Sequence, residues 1–180
     1  DKGNIQKGDN VLIVGSSGGV GTYAIQLAKH FGGIVTCFCS NRNNEQAKRL
    51  GADHVVDYNS ENFKFEENKF DLILGINGNY PLTTYKKSLK DKGKFVLVGG
   101  SFSQIFKNLF FRKFMSLGSR KMLHLMAKSN KKDIEFILNL VKENHIKPII
   151  EKIYPLDQGI EAIQYVAKGH ASAKVVIKVK

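Results

Sequence analysis

Cysteine is scarce in this chain, acidic side chains are outnumbered, and no long apolar run occurs anywhere. Each shortage excludes something. The two cysteines among 180 residues are Cys37 and Cys39. They alternate within a β-like run, so both point to the same side of one strand, with Cα atoms too widely spaced to favour a disulfide. A disulfide-stapled scaffold is thereby excluded, and reduced thiols fit a cytoplasmic setting. No uncharged apolar run approaches the roughly 18 to 20 residues of a membrane span, so no integral span is expected. The sequence opens on Asp1 rather than Met, and a targeting signal ahead of it would not be visible. No internal repeat or low-complexity tract occurs.

Carboxylates number 16 against 28 Lys and Arg, a formal charge of +12. Between Asp91 and Asp133 the sequence holds ten Lys or Arg and no Asp or Glu. Such an excess invites a nucleic-acid reading, but no nucleic-acid motif accompanies it. Lysine scattered over solvated faces accounts for the charge, and no nucleic-acid partner is expected. The apolar share of 42% and charged share of 24% are those of a folded globular protein. The length suits one domain of ordinary size, or one domain plus an appendage.

Short apolar runs alternate with helical patterns almost to the end. The runs are VLIV at 11–14, IVTCFC at 34–39, HVVDY at 54–58, FDLILGI at 70–76 and KFVLVGG at 94–100. Candidate helices lie at 20–31, 43–50 and 81–90, with Pro81 suited to a first turn. Unbroken apolar strands interleaved with helices predict a parallel sheet covered on both faces, the α/β, doubly wound class. Further on, a strand near 120–126 and a helix at 131–144 opened by Asn130 are predicted, then a strand at 148–153, a helix at 157–168 and a last strand KVVIKV. Residues 102–117 space six Phe and Leu helically among three basic residues. An interfacial membrane helix would read this way, as would a helix packed on a partner domain or lining an apolar substrate pocket. Its position inside a domain pattern places the packed reading ahead.

The densest signal is GSSGGVG, where Gly15, Gly18 and Gly21 stand three apart with Gly19 beside them. A strand precedes it, a helix follows at once, and a second strand closes a unit of βαβ length. Gly15 then lets the strand turn, Gly18 and Gly19 let a pyrophosphate approach the backbone, and Gly21 lets the helix pack closely. Peptide N–H groups flanking Ser16 to Val20, at a helix N-terminus, would cradle the phosphates. This predicts a Rossmann-type dinucleotide site. At the end of the second strand an NAD enzyme usually offers Asp or Glu to the ribose. Here stand Ser40, Asn41, Arg42 and Asn43, with no carboxylate before Glu45. Ser40 can donate to a 2′-phosphate and Arg42 can pair with it, so NADP(H) is the predicted cofactor. A P-loop is excluded, because Thr22 and Tyr23 follow Gly21 where Lys and Ser/Thr are required. No Tyr precedes a Lys by four residues, which removes the short-chain dehydrogenase pattern.

VLIVGSSGGVGTYAIQLAK, CSNRN, LGADHVVDY, FDLIL, LKDKGKFVLVGG and YPLDQGIEAI followed by GHASAKVVI together resemble the medium-chain dehydrogenase/reductases, specifically the zinc-independent quinone oxidoreductase-like branch. The resemblance covers essentially the whole chain. It implies a Rossmann domain over 1–145 and a return segment over 146–180 that would pack on a catalytic domain preceding Asp1. It further implies that Tyr58 lies by the adenosine, that Val98 and Gly99 lie near the nicotinamide, and that Lys174 lies near the cofactor. Ser172 and Ala173 depart from the family's usual Arg and Gly, and Gly75–Ile76–Asn77–Gly78 departs from its Asp-Ala-Val-Gly. The implied reaction is hydride transfer from NADPH to a small carbonyl compound, an enone or quinone or a C=O. The proton donors would lie outside this chain, so no catalytic residue is assigned. Such relatives include dimers, which makes a homodimer the candidate assembly.

Cys37, Cys39, His30, His54, His124, His145 and His170 form no zinc spacing, so no metal ligand is assigned. In zinc-dependent relatives the ligands lie upstream of the glycine turn. A second function class stays open: a sensing or scaffolding module that binds NADP(H) without turning it over.

Overall fold

The computed structural model describes residues 2–60, 64–76, 80–99, 118–125, 127–169 and 171–179. The Phe-rich stretch 102–117 lies outside them. Strands β1 (Asn10–Val14), β2 (Ile34–Cys39), β3 (His54–Asp57), β4 (Phe70–Ile76), β5 (Leu89–Val98) and β6 (Lys121–Leu125) form one parallel sheet in the order β3-β2-β1-β4-β5-β6. Between them run α1 (Gly21–His30), α2 (Asn44–Arg49) and α3 (Leu82–Ser88). The strand order changes direction between β1 and β4, so a crevice opens beyond their carboxyl ends, where doubly wound sheets take their ligands.

Unbroken apolar strands follow from burial on both faces. In β1, Val11 and Ile13 join a core with Ile25 and Ala28 of α1, Ala47 of α2 and Cys37. Their neighbours Leu12 and Val14 turn the other way, toward Phe38, Phe70, Ile73, Phe95 and Tyr85 of α3. A polar residue on either face would enter a core. Cys37 and Cys39 share one core and are free thiols. Burial pushes the Cys37 thiol up to about 12 and raises Cys39 as well.

One boundary differs from the sequence pattern by more than two residues. Helix α3 stops at Ser88, and β5 starts at Leu89 rather than near 94. Leu89 is fully buried and pairs with Phe70, and the register slips before Leu72 pairs with Lys94. Burial of Leu89 thus extends the strand through a charged stretch, with Lys92 at φ 60° in the irregularity. Downstream, Asn130 caps α4 (Lys131–Lys142): its side-chain oxygen accepts from the Asp133 N–H at 2.9 Å. After α4 the buried Gln26 of α1 donates to the Lys147 carbonyl at 3.0 Å and accepts from the Lys147 N–H at 2.7 Å. This clasp holds the later chain on the sheet.

The end of the chain forms a separate two-stranded parallel sheet of β7 (Ile150–Pro155) and β8 (Lys174–Lys178), linked by α5 (Gly159–Ala167). It leaves large apolar side chains exposed: Ile153 is 61%, Ile160 71% and Ile163 67% accessible. Large apolar side chains left bare together on one small unit are typical of a surface that another packs on.

Candidate functional site

The turn after β1 is built from close backbone approaches. Gly15 has φ 82°, and a Cβ there would lie 1.7 Å from the Ile76 carbonyl oxygen at the end of β4. Only glycine permits that geometry. A Cβ on Gly21 would lie 2.3 Å from the Gly15 carbonyl oxygen, so α1 starts directly against the turn. Gly18 is different: its φ is not left-handed, and no atom lies within 4 Å of its Cβ position. Nothing within the described chain asks for glycine there, whereas a ligand approaching the peptide would. The Thr22 N–H bonds to the Gly18 carbonyl at 3.0 Å and the Ala24 N–H to that of Val20, so the helix N-terminus begins within the turn. Its first N–H groups have no intrahelical acceptor and carry partial positive charge.

Above the turn lies a cleft of about 500 Å³. Its floor is Val14 and Gly15 from β1 with Ile76 from β4, the two strands at the order reversal. Gly18, Gly19 and Val20 form one wall. Phe38, Ser40, Arg42 and Asn43 come from the end of β2, Tyr58 follows β3, and Tyr80 precedes α3. Gly169 and Ala171, from the segment after α5, complete the rim. Among the described residues that line it, none is Asp or Glu. The buried Asn43 side chain donates to Ser40 Oγ at 3.1 Å and its N–H to the Ser40 carbonyl at 2.8 Å. The Ser40 hydroxyl therefore keeps its own hydrogen to donate. The arrangement offers peptide donors, a hydroxyl and a guanidinium to an anion, with aromatic rings for a flat heterocycle. It fits a phosphate-bearing nucleotide.

Gly15, Gly18, Gly19, Val20, Ser40, Arg42 and Tyr58 thus meet at one cleft, although β2 and β3 separate them in sequence. Ser16 stands apart. It is fully buried, and its hydroxyl donates to the Phe38 carbonyl at 3.2 Å, bracing β1 to β2. Gly21 packs beneath the turn and does not line the cleft. Val98 packs against the core, and Gly99, at φ 73°, enters a stretch outside the described residues; neither lines the cleft. Lys174 does come close, its Nζ 3.0 Å from the Cβ position of Gly19. Sequence reasoning missed the part of Tyr80, whose only signal was its place before Pro81, and of Ala171, which had none. In the sequence Asn43 is only one of the polar residues after β2; the structure buries it against Ser40. Among the described residues no group of three or more His, Cys, Asp or Glu converges as a metal-ligand set. Among them, too, no helix is long and apolar enough to cross a membrane.

Residues 50–177 match a family described as zinc-binding dehydrogenase. The chain belongs to that family, within the medium-chain dehydrogenase/reductase superfamily. Among curated relatives, the chain is 33% identical over 174 residues to the chloroplastic quinone-oxidoreductase homolog of Spinacia oleracea, with 94% of this chain and 52% of that protein covered. It is 33% identical over 191 residues to the mitochondrial NAD(P)H oxidoreductase RTN4IP1 of Bos taurus, with 96% and 48% covered. The chain spans about half the length of these relatives. Among solved structures, the quinone oxidoreductase from Coxiella burnetii superposes with a TM-score of 0.84 at 27% identity, covering 99% of this chain and 55% of that one. A structure titled NAD-dependent alcohol dehydrogenase gives 0.81 at 25% identity, covering 100% and 54%. The medium-chain dehydrogenase/reductase assignment and the Rossmann-type α/β fold are thereby established. The names of these two relatives place them in chloroplast and mitochondrion, and lend no support to the cytoplasmic setting expected from the thiols.

Proposed function

We propose that this chain is the cofactor-binding half of an NADP(H)-dependent oxidoreductase that reduces a small enone, quinone or carbonyl compound. The observation that carries this reading is the glycine turn at the order reversal, where Gly18 opens onto a cleft that Ser40 and Arg42 also line, with no carboxylate among its described lining residues. Relatives titled quinone oxidoreductase and NAD(P)H oxidoreductase support the reaction class. A bound nicotinamide cofactor supplies the hydride. The residues of this chain bind and orient it. Peptide N–H groups from Ser16 to Val20 hold the pyrophosphate, and Gly15 and Gly21 keep the turn against β4 and α1. Ser40 donates to the 2′-phosphate, Arg42 neutralises it, and Tyr58 flanks the adenosine. Val98 and Gly99 lead toward the nicotinamide end.

Residues 1–145 constitute the cofactor domain. Residues 146–180 return to the other half of the protein, whose surface covers Ile153, Ile160 and Ile163. Proton donors and substrate contacts come from that half.

Titration of the full-length protein with NADPH and NADH tests the cofactor choice, and a preference for NADH overturns it. Arg42→Ala is expected to weaken NADPH by about 1.5 to 3 kcal/mol, the range for a hydrogen bond to a charged group, and to leave NADH nearly unchanged. NADPH oxidation with quinones and enones tests the reaction. Binding without turnover across a broad panel would point to the sensing module instead.

A further inference from the structure

The segment from Ala171 to Lys174 crosses from the rim of the cleft into β8, and it is tied down more tightly than a connecting loop requires. Gln46 of α2 donates from Nε2 to the Ser172 carbonyl at 2.7 Å. On the other side, the Ser172 N–H donates to Glu151 Oε2 of β7 at 2.8 Å. The second oxygen of Glu151 accepts from the Tyr165 hydroxyl of α5 at 2.7 Å, so the carboxylate is itself held. Ala173 is then buried, and the Lys174 N–H bonds to the Ile149 carbonyl at 3.1 Å. Three successive residues are anchored, and what they carry is the Lys174 side chain. Its Cδ, Cε and Nζ all lie within 3.1 Å of the Cβ position of Gly19. Among the described residues no carboxylate pairs with that ammonium. A cation is thus laid over the glycine peptide with no carboxylate partner among the described residues.

We infer that Gln46 and Glu151 are positioning residues of the cleft: by gripping the Ser172 peptide from two sides they set the Lys174 ammonium over Gly19, where it meets the cofactor's pyrophosphate. This rests on the nucleotide reading of the cleft given above. Its physical content is pre-organisation. A loose segment loses backbone freedom when its lysine pairs with a phosphate, whereas one already anchored has less left to lose. Gln46 lies on α2, directly after the Ser40–Asn43 turn, so the proposed 2′-phosphate contacts and the grip on Ser172 come from adjacent stretches of chain.

The test is a double-mutant cycle on dinucleotide affinity in the full-length protein, read by calorimetry. Lys174→Met is expected to weaken NADPH and NADH alike by about 10-fold or more, since the pyrophosphate is common to both. Gln46→Glu keeps the side-chain size but turns a donor toward the Ser172 carbonyl into an acceptor. Glu151→Gln removes one of two acceptors. Each is expected to weaken both dinucleotides by about 5-fold and to leave 2′-AMP, which has no pyrophosphate, within about 1.5-fold. In the Lys174→Met background the Gln46→Glu change is expected to have almost no further effect. Equal losses in the two backgrounds, or loss of 2′-AMP binding in parallel, would reduce Gln46 and Glu151 to structural supports and overturn the inference. A wild-type protein that bound neither dinucleotide would instead defeat the nucleotide reading itself.

Discussion

Replacing Gly18 by alanine separates a ligand-shaped turn from a merely tight one. The Cβ position at Gly18 meets no atom within 4 Å, and the backbone is not left-handed, so the folded chain accepts the methyl without strain. Alanine also restricts the unfolded chain, which stabilises a compatible site by about 0.4 to 1 kcal/mol. For a domain of this size that is a rise in Tm of about 1 to 4 °C. The space the methyl enters is the cleft. If phosphate oxygens approach the peptides there, the methyl displaces them and at least one charge-assisted hydrogen bond is lost, about 1.5 to 3 kcal/mol. The dissociation constant for NADPH should therefore rise roughly 10- to 150-fold while the apo protein becomes slightly more stable. Gly21→Ala makes the contrast. Its Cβ would sit 2.3 Å from a backbone oxygen that has no flexible end to move, so it should destabilise the apo fold. Calorimetry with NADPH and thermal unfolding without it give both numbers. A Gly18→Ala protein that binds NADPH like the wild type would refute the argument, because the turn would then have no guest.

Three further outcomes follow from burial and charge. Ile13→Ala empties a fully buried position in the middle of β1 and should cost about 2 to 5 kcal/mol in chemical denaturation; a loss under 1 kcal/mol would mean the site collapses around the gap. Cys37 and Cys39 should resist a thiol reagent in the native protein at pH 8 and both react on unfolding, because burial holds the thiols protonated; fast labelling of the folded protein would contradict the packing. At Asp53 and Asp71 burial works against the charged form, but hydrogen bonds outweigh it: Lys29 and the Val35 N–H at Asp53, Lys90 and the Asn10 N–H at Asp71. Both carboxyls are held below their ordinary value. Their stabilising contribution is therefore complete above about pH 4 and is lost as pH falls through the lowered folded values. Asp53→Asn with Asp71→Asn should lower Tm at pH 7 and flatten its fall in acid; an unchanged acid limb would show the ion pairs to be idle.

The order of elements and the glycine turn were readable along the chain because both are local. Apolar runs such as VLIV and IVTCFC announce strands buried on two faces, and their interleaving with helical patterns leaves the doubly wound sheet as the economical arrangement. The glycine turn is legible because its constraints act between residues within a few positions of each other or across one predicted strand pair. The polar run after β2 is likewise adjacent to its strand. The Asn130 cap depends on a bond across three residues. All of these depend on spacing, and spacing is what a sequence records.

Other features were decided only when distant segments met. Leu89 became a strand residue because Phe70 lay opposite it, overriding the charged residues that follow. Ser16 reads like a phosphate ligand in GSSGGVG, yet its hydroxyl turns inward because the Phe38 carbonyl on the neighbouring strand lies within reach. Tyr80 and Ala171 reach the cleft from 65 or more positions beyond Gly15, and Gln46 finds Ser172 across 126 residues. What the sequence determined by itself were the contacts that short-range geometry enforces, namely the elements, the turn and the charge character of its surroundings. What the tertiary structure alone decided were the partners joined across the sheet order, since any long loop can bring many residues to one place and only packing selects which of them arrive.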